Sequence, residues 1–179
     1  MRRGVVLALA LIVVAGGCGK KESQSANPTE ANKVAMRAVR VYFEAPNMLL
    51  AAEPRNLPLP ENPAGAIPLV IREMMKGPAS ANLARLYPPD TVVRGAYMLP
   101  DGTAFVDLGG ATLTSGWGTG THEELMAVYS VVQTVTANFP EAKRVRLLIN
   151  GEPAETLAGH IWLGKSLHPM SSLVDAASR

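Results

Sequence analysis

The segment Thr121–Phe139, THEELMAVYSVVQTVTANF, constrains this chain more than any other. Leu125, Val128, Val132, Val135 and Phe139 recur at spacings of 3, 4, 3 and 4, the period of one helical face. Thr121 and Glu124 stand in a T-x-x-E capping-box pattern, with Glu123 also favourable in the first turn, and Pro140 closes the element. Valines dominate the stripe, so helix propensity alone does not hold it, and packing on a sheet must. Ser130, Gln133, Thr134 and Thr136 form a weakly polar flank. The side carrying Met126, Tyr129, Gln133 and Thr136 is expected to be free of that sheet and is a candidate partner surface.

Strand patterns surround this helix. VRVYFE at 39–44 alternates Val39, Val41 and Phe43 with polar neighbours, and Met48–Ala52 is a second apolar run. Ten of the 14 prolines lie between positions 46 and 100. Their density over Arg55–Pro63 excludes a central strand and predicts an ordered, irregular crossing. A helix is expected from Asn62-Pro63 or from Ala66 to Lys76. Ile67, Val70, Ile71 and Met74 make its buried stripe and Gly77-Pro78 its stop. Thr91–Leu99 and Thr103–Leu108 flank Pro100-Asp101-Gly102 as a β-hairpin, with Ala104, Val106 and Leu108 on one face. Ala111–Thr121 reads as a Gly/Thr/Ser loop carrying Trp117. Ala142–Asn150 is a further strand turned by Asn150-Gly151, and pairing beyond Pro153 is expected only near Thr156-Leu157 or His160–Leu163. The result is an α+β domain: one compact unit with two main helices on a mixed sheet.

The N-terminus specifies location. Arg2 and Arg3 precede an unbroken ten-residue apolar run, Val5–Val14, too short to span a bilayer. Ala15-Gly16-Gly17-Cys18 follows and resembles a bacterial lipobox, with Ala15 where Leu is usual. Residues 1–17 are therefore expected to be a signal peptide and Cys18 the lipidated N-terminus of the mature chain. The competing reading is a plain signal peptide beside an incidental cysteine. Cys18 is the only Cys, so no intrachain disulfide can form. Residues 18–38 read as a lipid-anchored flexible tether, 39–168 as the domain and 169–179 as a frayed C-terminal tail. Gly19, rather than Asp, after the cysteine points to the periplasmic face of the outer membrane if the host is diderm. Arg2 and Arg3 account for two of the 17 Lys+Arg, which leaves 15 against 15 Asp+Glu from Cys18 onward. A balanced mature chain offers no global field for nucleic acid.

The residues supply no catalytic constellation. His122, His160 and His168 lack metal-ligand spacing, and no metal or cofactor is expected. There is no G-x-S-x-G, and Ser130 and Thr134 read as small packing residues. Asp107, Glu123 and Glu124 could converge as paired carboxylates, but turn and cap roles already explain them. Trp117 either binds a glycan, peptide or anion above the helix start or folds back as a lid on the core.

The order VRVYFEA, MMKGPA, LYPPDTVV, FVDLGGA, EELMAVYSVVQTVTANFP and VRLLINGEP resembles a GerMN domain, a module named from bacterial sporulation and spore germination proteins. The resemblance covers roughly 39–168. Gly109 stands where the family often has Ser, and Pro88-Pro89 replaces a simpler Leu-Pro. It implies a fold similar to the ring-building modules of secretion and sporulation channels, with oligomerisation open. It further implies a non-enzymatic, acylated envelope lipoprotein that makes protein–protein contacts in envelope assembly. The alternatives are a peptidoglycan-binding module and, behind that, a wall-acting enzyme.

Overall fold

A computed structural model describes residues 33–115 and 117–178. The signal segment, Cys18 and the tether up to residue 32 lie outside the described residues. Strand β1 (Val34–Glu44) pairs antiparallel with β2 (Leu50–Pro60), with Val34 opposite Pro60 and Glu44 opposite Leu50. The expected tether is thus shortened: Val34–Ala38 extend the strand rather than precede it.

The proline-rich stretch also differs from expectation, since it forms β2 instead of an irregular crossing. Pro54, Pro58 and Pro60 occupy alternate positions, so the nitrogens that cannot donate all lie on one edge of the strand. The N–H of Ala52, on that same edge, turns away from β1 to the Ser178 hydroxyl at 3.0 Å. An edge strand tolerates proline where its N–H would face away from its partner. No central strand is required.

Helix α1 (Pro63–Met75) starts as expected, with the Asn62 side chain accepting from Gly65 N–H at 2.7 Å. Ile67, Val70, Ile71 and Met74 are buried. Gly77 ends the helix at φ +92, a conformation that favours glycine. Strands β3 (Val92–Met98) and β4 (Thr103–Gly109) form the expected hairpin. A short helix, α2 (Ala111–Thr114), follows, where the sequence predicts only loop.

Helix α3 (Thr121–Asn138) then carries the chain to β5 (Arg144–Ile149), which lies parallel to β4. Asn150 and Gly151, both at positive φ, turn it into the two-residue β6 (Glu152–Pro153). The fold is α+β, with a two-stranded antiparallel sheet and a four-stranded mixed sheet in the order β3-β4-β5-β6. Ala104, Val106, Leu108, Val145 and Leu147 turn inward and are fully or almost fully buried.

Helix α3 packs against both β1 and β5, with α1 alongside it. Burial on several sides makes it an interior helix rather than an amphipathic cover. The segment expected to fray is docked. Val174 is buried and bridges Leu50, and Asp175 N–H donates to the Leu50 carbonyl at 2.9 Å. Among the described residues, no helix is long and apolar enough to cross a membrane.

Candidate functional site

The start of α3 gathers most of the polar residues singled out in the sequence, in roles other than those expected. Gly120, extended at φ −84 and ψ 173, is the N-cap, and its carbonyl accepts the first helical bond from Glu124 N–H at 3.0 Å. Thr121 therefore sits one position inside the helix, and no capping box forms. The Glu124 side chain instead turns into the protein, where it is fully buried. It accepts from the backbone N–H groups of Leu157, Ala158 and His160 at 2.9, 2.8 and 2.7 Å. Its fourth partner is His160 Nδ1 at 2.9 Å, which carries the proton, since a carboxylate accepts. Burial pushes the Glu124 carboxyl up, but donors from Ala158, His160, Ile161 and Leu157 outweigh it and hold it below its usual range.

Glu124 and His160 form a carboxylate–imidazole pair. No described hydroxyl or thiol is hydrogen-bonded to the other imidazole nitrogen, and the carboxylate is saturated by loop donors. The pair fixes the 155–163 loop. Four accepted hydrogen bonds make the Glu124 carboxylate a structural anchor for that loop.

The other expected carboxylates do not join Glu124. Asp107 braces the β4–β5 side by accepting from Arg94 Nε at 3.1 Å and Gly151 N–H at 2.8 Å. Glu123 shares no hydrogen-bond partner with either. His122 Nε2 lies 2.7 Å from Glu44 Oε1 and ties α3 to the end of β1. Among the described residues, no group of three or more His, Cys, Asp or Glu could hold a metal ion.

Trp117 is half-buried and stacks on Tyr87, with ring centroids 5.8 Å apart and planes 25° from parallel. This is the lid arrangement. Tyr87 is itself buried and donates from its hydroxyl to the Ala127 carbonyl at 3.0 Å; burial raises its phenol well above the usual range.

The proposed open face of α3 is not open. Met126, Tyr129 and Gln133 are all buried. Gln133 donates from Nε2 to the Met170 carbonyl at 2.9 Å, so the C-terminal segment covers it. The polar flank reaches β1: Tyr42 N–H donates to Thr134 Oγ1 at 3.1 Å, and Arg40 N–H to Asn138 Oδ1 at 2.9 Å. Helix α3 thereby occupies the free edge of β1 at Arg40 and Tyr42, where it would otherwise be a pairing template.

The surfaces left uncovered lie elsewhere. On the outer face of the four-stranded sheet, Tyr97, Phe105 and Arg146 stand in one cross-strand row. Tyr97 is 46% exposed and stacks on Phe105 at 4.5 Å between centroids and 8° between planes. Arg146 Nη1 donates to the Gly164 carbonyl, which brings in the segment carrying Trp162. Trp162 is exposed, with Lys165 Nζ 5.4 Å from its ring centroid. Sequence reasoning singled out neither Tyr97 nor Trp162. Their available signal was a large aromatic at an outward strand position and another in a Gly-flanked loop.

A shallow depression of about 470 Å³ beside α1 is lined by Arg72, Lys76, Thr91 and Val93. Thr91 Oγ1 is buried with no hydrogen-bond partner among the described residues.

The chain is thus an α+β module with a buried carboxylate–imidazole cluster and with Tyr97 and Trp162 exposed on its surface. The chain belongs to the Germane family, described as sporulation and spore germination, whose model matches residues 40–155. No curated protein sequence matches it. A candidate lipoprotein from Clostridium perfringens is similar in structure at a TM-score of 0.55 and 16% identity, covering 79% of this chain and 94% of that one. The tandem GerMN domains of the sporulation protein GerM from Bacillus subtilis are similar at a TM-score of 0.52 and 22% identity. That match covers 80% of this chain and 46% of the tandem protein, so this chain spans about half of its length. At these identities the likeness shows the fold alone.

Proposed function

We propose that this is a non-catalytic, lipid-anchored envelope protein whose Germane domain makes protein–protein contacts within an envelope complex. The observation that carries this reading is the uncovered sheet face with Tyr97 stacked on Phe105. An exposed tyrosine stacked on a half-buried phenylalanine, beside an arginine, has the composition of a binding surface. The family description supports a place in sporulation or germination, and the signal and lipobox-like sequence supports the extracytoplasmic side of a membrane. In a diderm host that side is the periplasmic face of the outer membrane.

The anchor is tested by intact mass of membrane-extracted protein. A diacylglyceryl adduct on a chain beginning at Cys18 is expected, and a mature chain with unmodified Cys18 contradicts it. The contact surface is tested by a photo-crosslinking amino acid at position 97 in the native host. A discrete envelope-protein adduct that Phe105→Arg abolishes is expected.

A second reading, binding of a cell-wall glycan or peptide, is favoured by one observation, the exposed Trp162 with Lys165 over its ring. The site moves from Trp117, which is occupied by its stack on Tyr87, to Trp162. Sedimentation with purified peptidoglycan that is lost in Trp162→Ala supports this reading, and sedimentation unchanged by that substitution removes it.

A further inference from the structure

The β1–β2 ribbon has two faces with different fates. Val39, Val41, Phe43 and Leu59 turn inward and are buried. On the opposite face, Tyr42 and Leu50 are covered by the C-terminal segment: the Tyr42 hydroxyl donates to the Ser178 carbonyl and Val174 bridges Leu50. That cover stops short of the other end. Val34 and Met36 are left 58% and 67% exposed, next to exposed Ala38 and Pro58. Met36 lies opposite Pro58 and Val34 opposite Pro60, so these side chains form one continuous apolar surface. Lys33, with a side chain 77% exposed and its Nζ 3.9 Å from Glu61 Oε1, borders it at one end, and exposed Arg40 stands on the same face.

The position of this patch in the chain indicates what covers it. Its first residue, Val34, is where the chain emerges toward Cys18, with residues 19–33 between them. That length spans at most about 50 Å, so a lipid on Cys18 holds this end of the ribbon within that reach of the bilayer. Strand addition by a second copy is a poor fit. Pro54, Pro58 and Pro60 lack N–H groups along the outer edge of β2, and α3 occupies the edge of β1 at Arg40 and Tyr42. What the ribbon offers is an apolar face bordered by two cations and one carboxylate, a net basic margin of the kind that settles at an anionic lipid interface. Tethering makes even a weak surface affinity sufficient.

We propose that the outer face of the ribbon at its Val34–Pro60 end rests on the membrane that holds the lipid. The inference rests on the lipid-anchor reading above. It sets the domain's orientation, with the ribbon end down and the Glu44–Leu50 end standing away from the surface.

The test uses the full lipidated protein in vesicles of phosphatidylethanolamine and phosphatidylglycerol. With Cys18 consumed by its lipid, Met36→Cys introduces the only free thiol, which takes an environment-sensitive fluorophore. Pro58→Cys reports the neighbouring strand. Ala81→Cys is the control; it is exposed in the segment that bridges to Glu44 at the far end of β1. The expected result is a blue-shifted emission at positions 36 and 58, quenched several-fold more by lipid-borne nitroxide than at 81. The quenching weakens when phosphatidylglycerol is left out.

Equal, water-like emission at all three positions, on protein whose mass shows the lipid, overturns the seating while leaving the anchor intact. A missing lipid mass overturns the anchor and this inference with it. Shielding at 36 without quenching by lipid nitroxide, increasing with protein density in the vesicle, assigns the face to a second copy and overturns the bilayer contact.

Discussion

Replacing Glu124 by alanine tests the structural reading of the one carboxylate that most resembles a catalytic group. The side chain is fully buried and accepts from three backbone N–H groups and one imidazole. Each buried donor left without an acceptor costs about 1–3 kcal/mol. The 155–163 loop can limit that cost by opening to water, so the full sum is not reached. A net loss of about 3–5 kcal/mol follows, a large fraction of the roughly 5–15 kcal/mol that holds a domain folded. Glu124→Gln keeps one acceptor but points an amide N–H₂ at donors, and about 2 kcal/mol is expected.

Urea unfolding gives the totals. Hydrogen exchange locates them, with protection lost first at Leu157, Ala158 and His160. If Glu124→Ala unfolds within about 0.5 kcal/mol of the parent, the range of an ordinary surface change, and exchange in the loop is unaltered, the anchor reasoning is refuted.

Three further outcomes follow from the same contacts. The folded Glu124 and Glu53 carboxyls lie below their usual value of 4.5, where burial is outweighed by backbone donors and, for Glu53, also by Arg55. Their stabilisation is therefore complete above about 4.5 and is lost as pH falls through the lower folded values; melting followed against pH should show this acid limb, shallower in Glu124→Gln. Deleting residues 169–179 uncovers Leu50, Tyr42 and Gln133, and a loss of about 2–4 kcal/mol is expected by thermal unfolding; an unchanged melting temperature would mean the segment is not docked. Gly77→Ala places a methyl at positive φ and 2.6 Å from the Arg85 guanidinium, and a loss of about 1–2 kcal/mol in urea is expected.

Much of the architecture was legible in the sequence because its signals were local. Asn62-Pro63 and Gly77-Pro78 bracket α1, Pro100-Asp101-Gly102 turns the hairpin, and Asn150-Gly151 ends β5. The failures share a cause, which is that long-range partners decided the outcome. Pro54, Pro58 and Pro60 argue against a strand until their alternation on one outer edge is seen. Ser130, Gln133 and Thr134 read as a weakly polar flank, with packing expected for Ser130 and Thr134 and a free surface for Gln133. They are buried because Ala127, Met170 and Tyr42 satisfy them. The T-x-x-E pattern pointed to a cap, while the donors for Glu124 lie more than 30 residues further along. The candidate site moved for the same reason. Met126, Tyr129 and Gln133 were covered by elements that periodicity does not place, and Tyr97 was left bare on a sheet face that no helix pattern flagged.

The proposed contact joins the uncovered sheet face around Tyr97 to an envelope partner. In-cell photo-crosslinking from position 97, with position 81 as the control, tests it most directly. A reproducible adduct with one envelope protein is expected from position 97, absent from 81 and lost in Phe105→Arg. No adduct from position 97, or the same adducts from both positions, would contradict it.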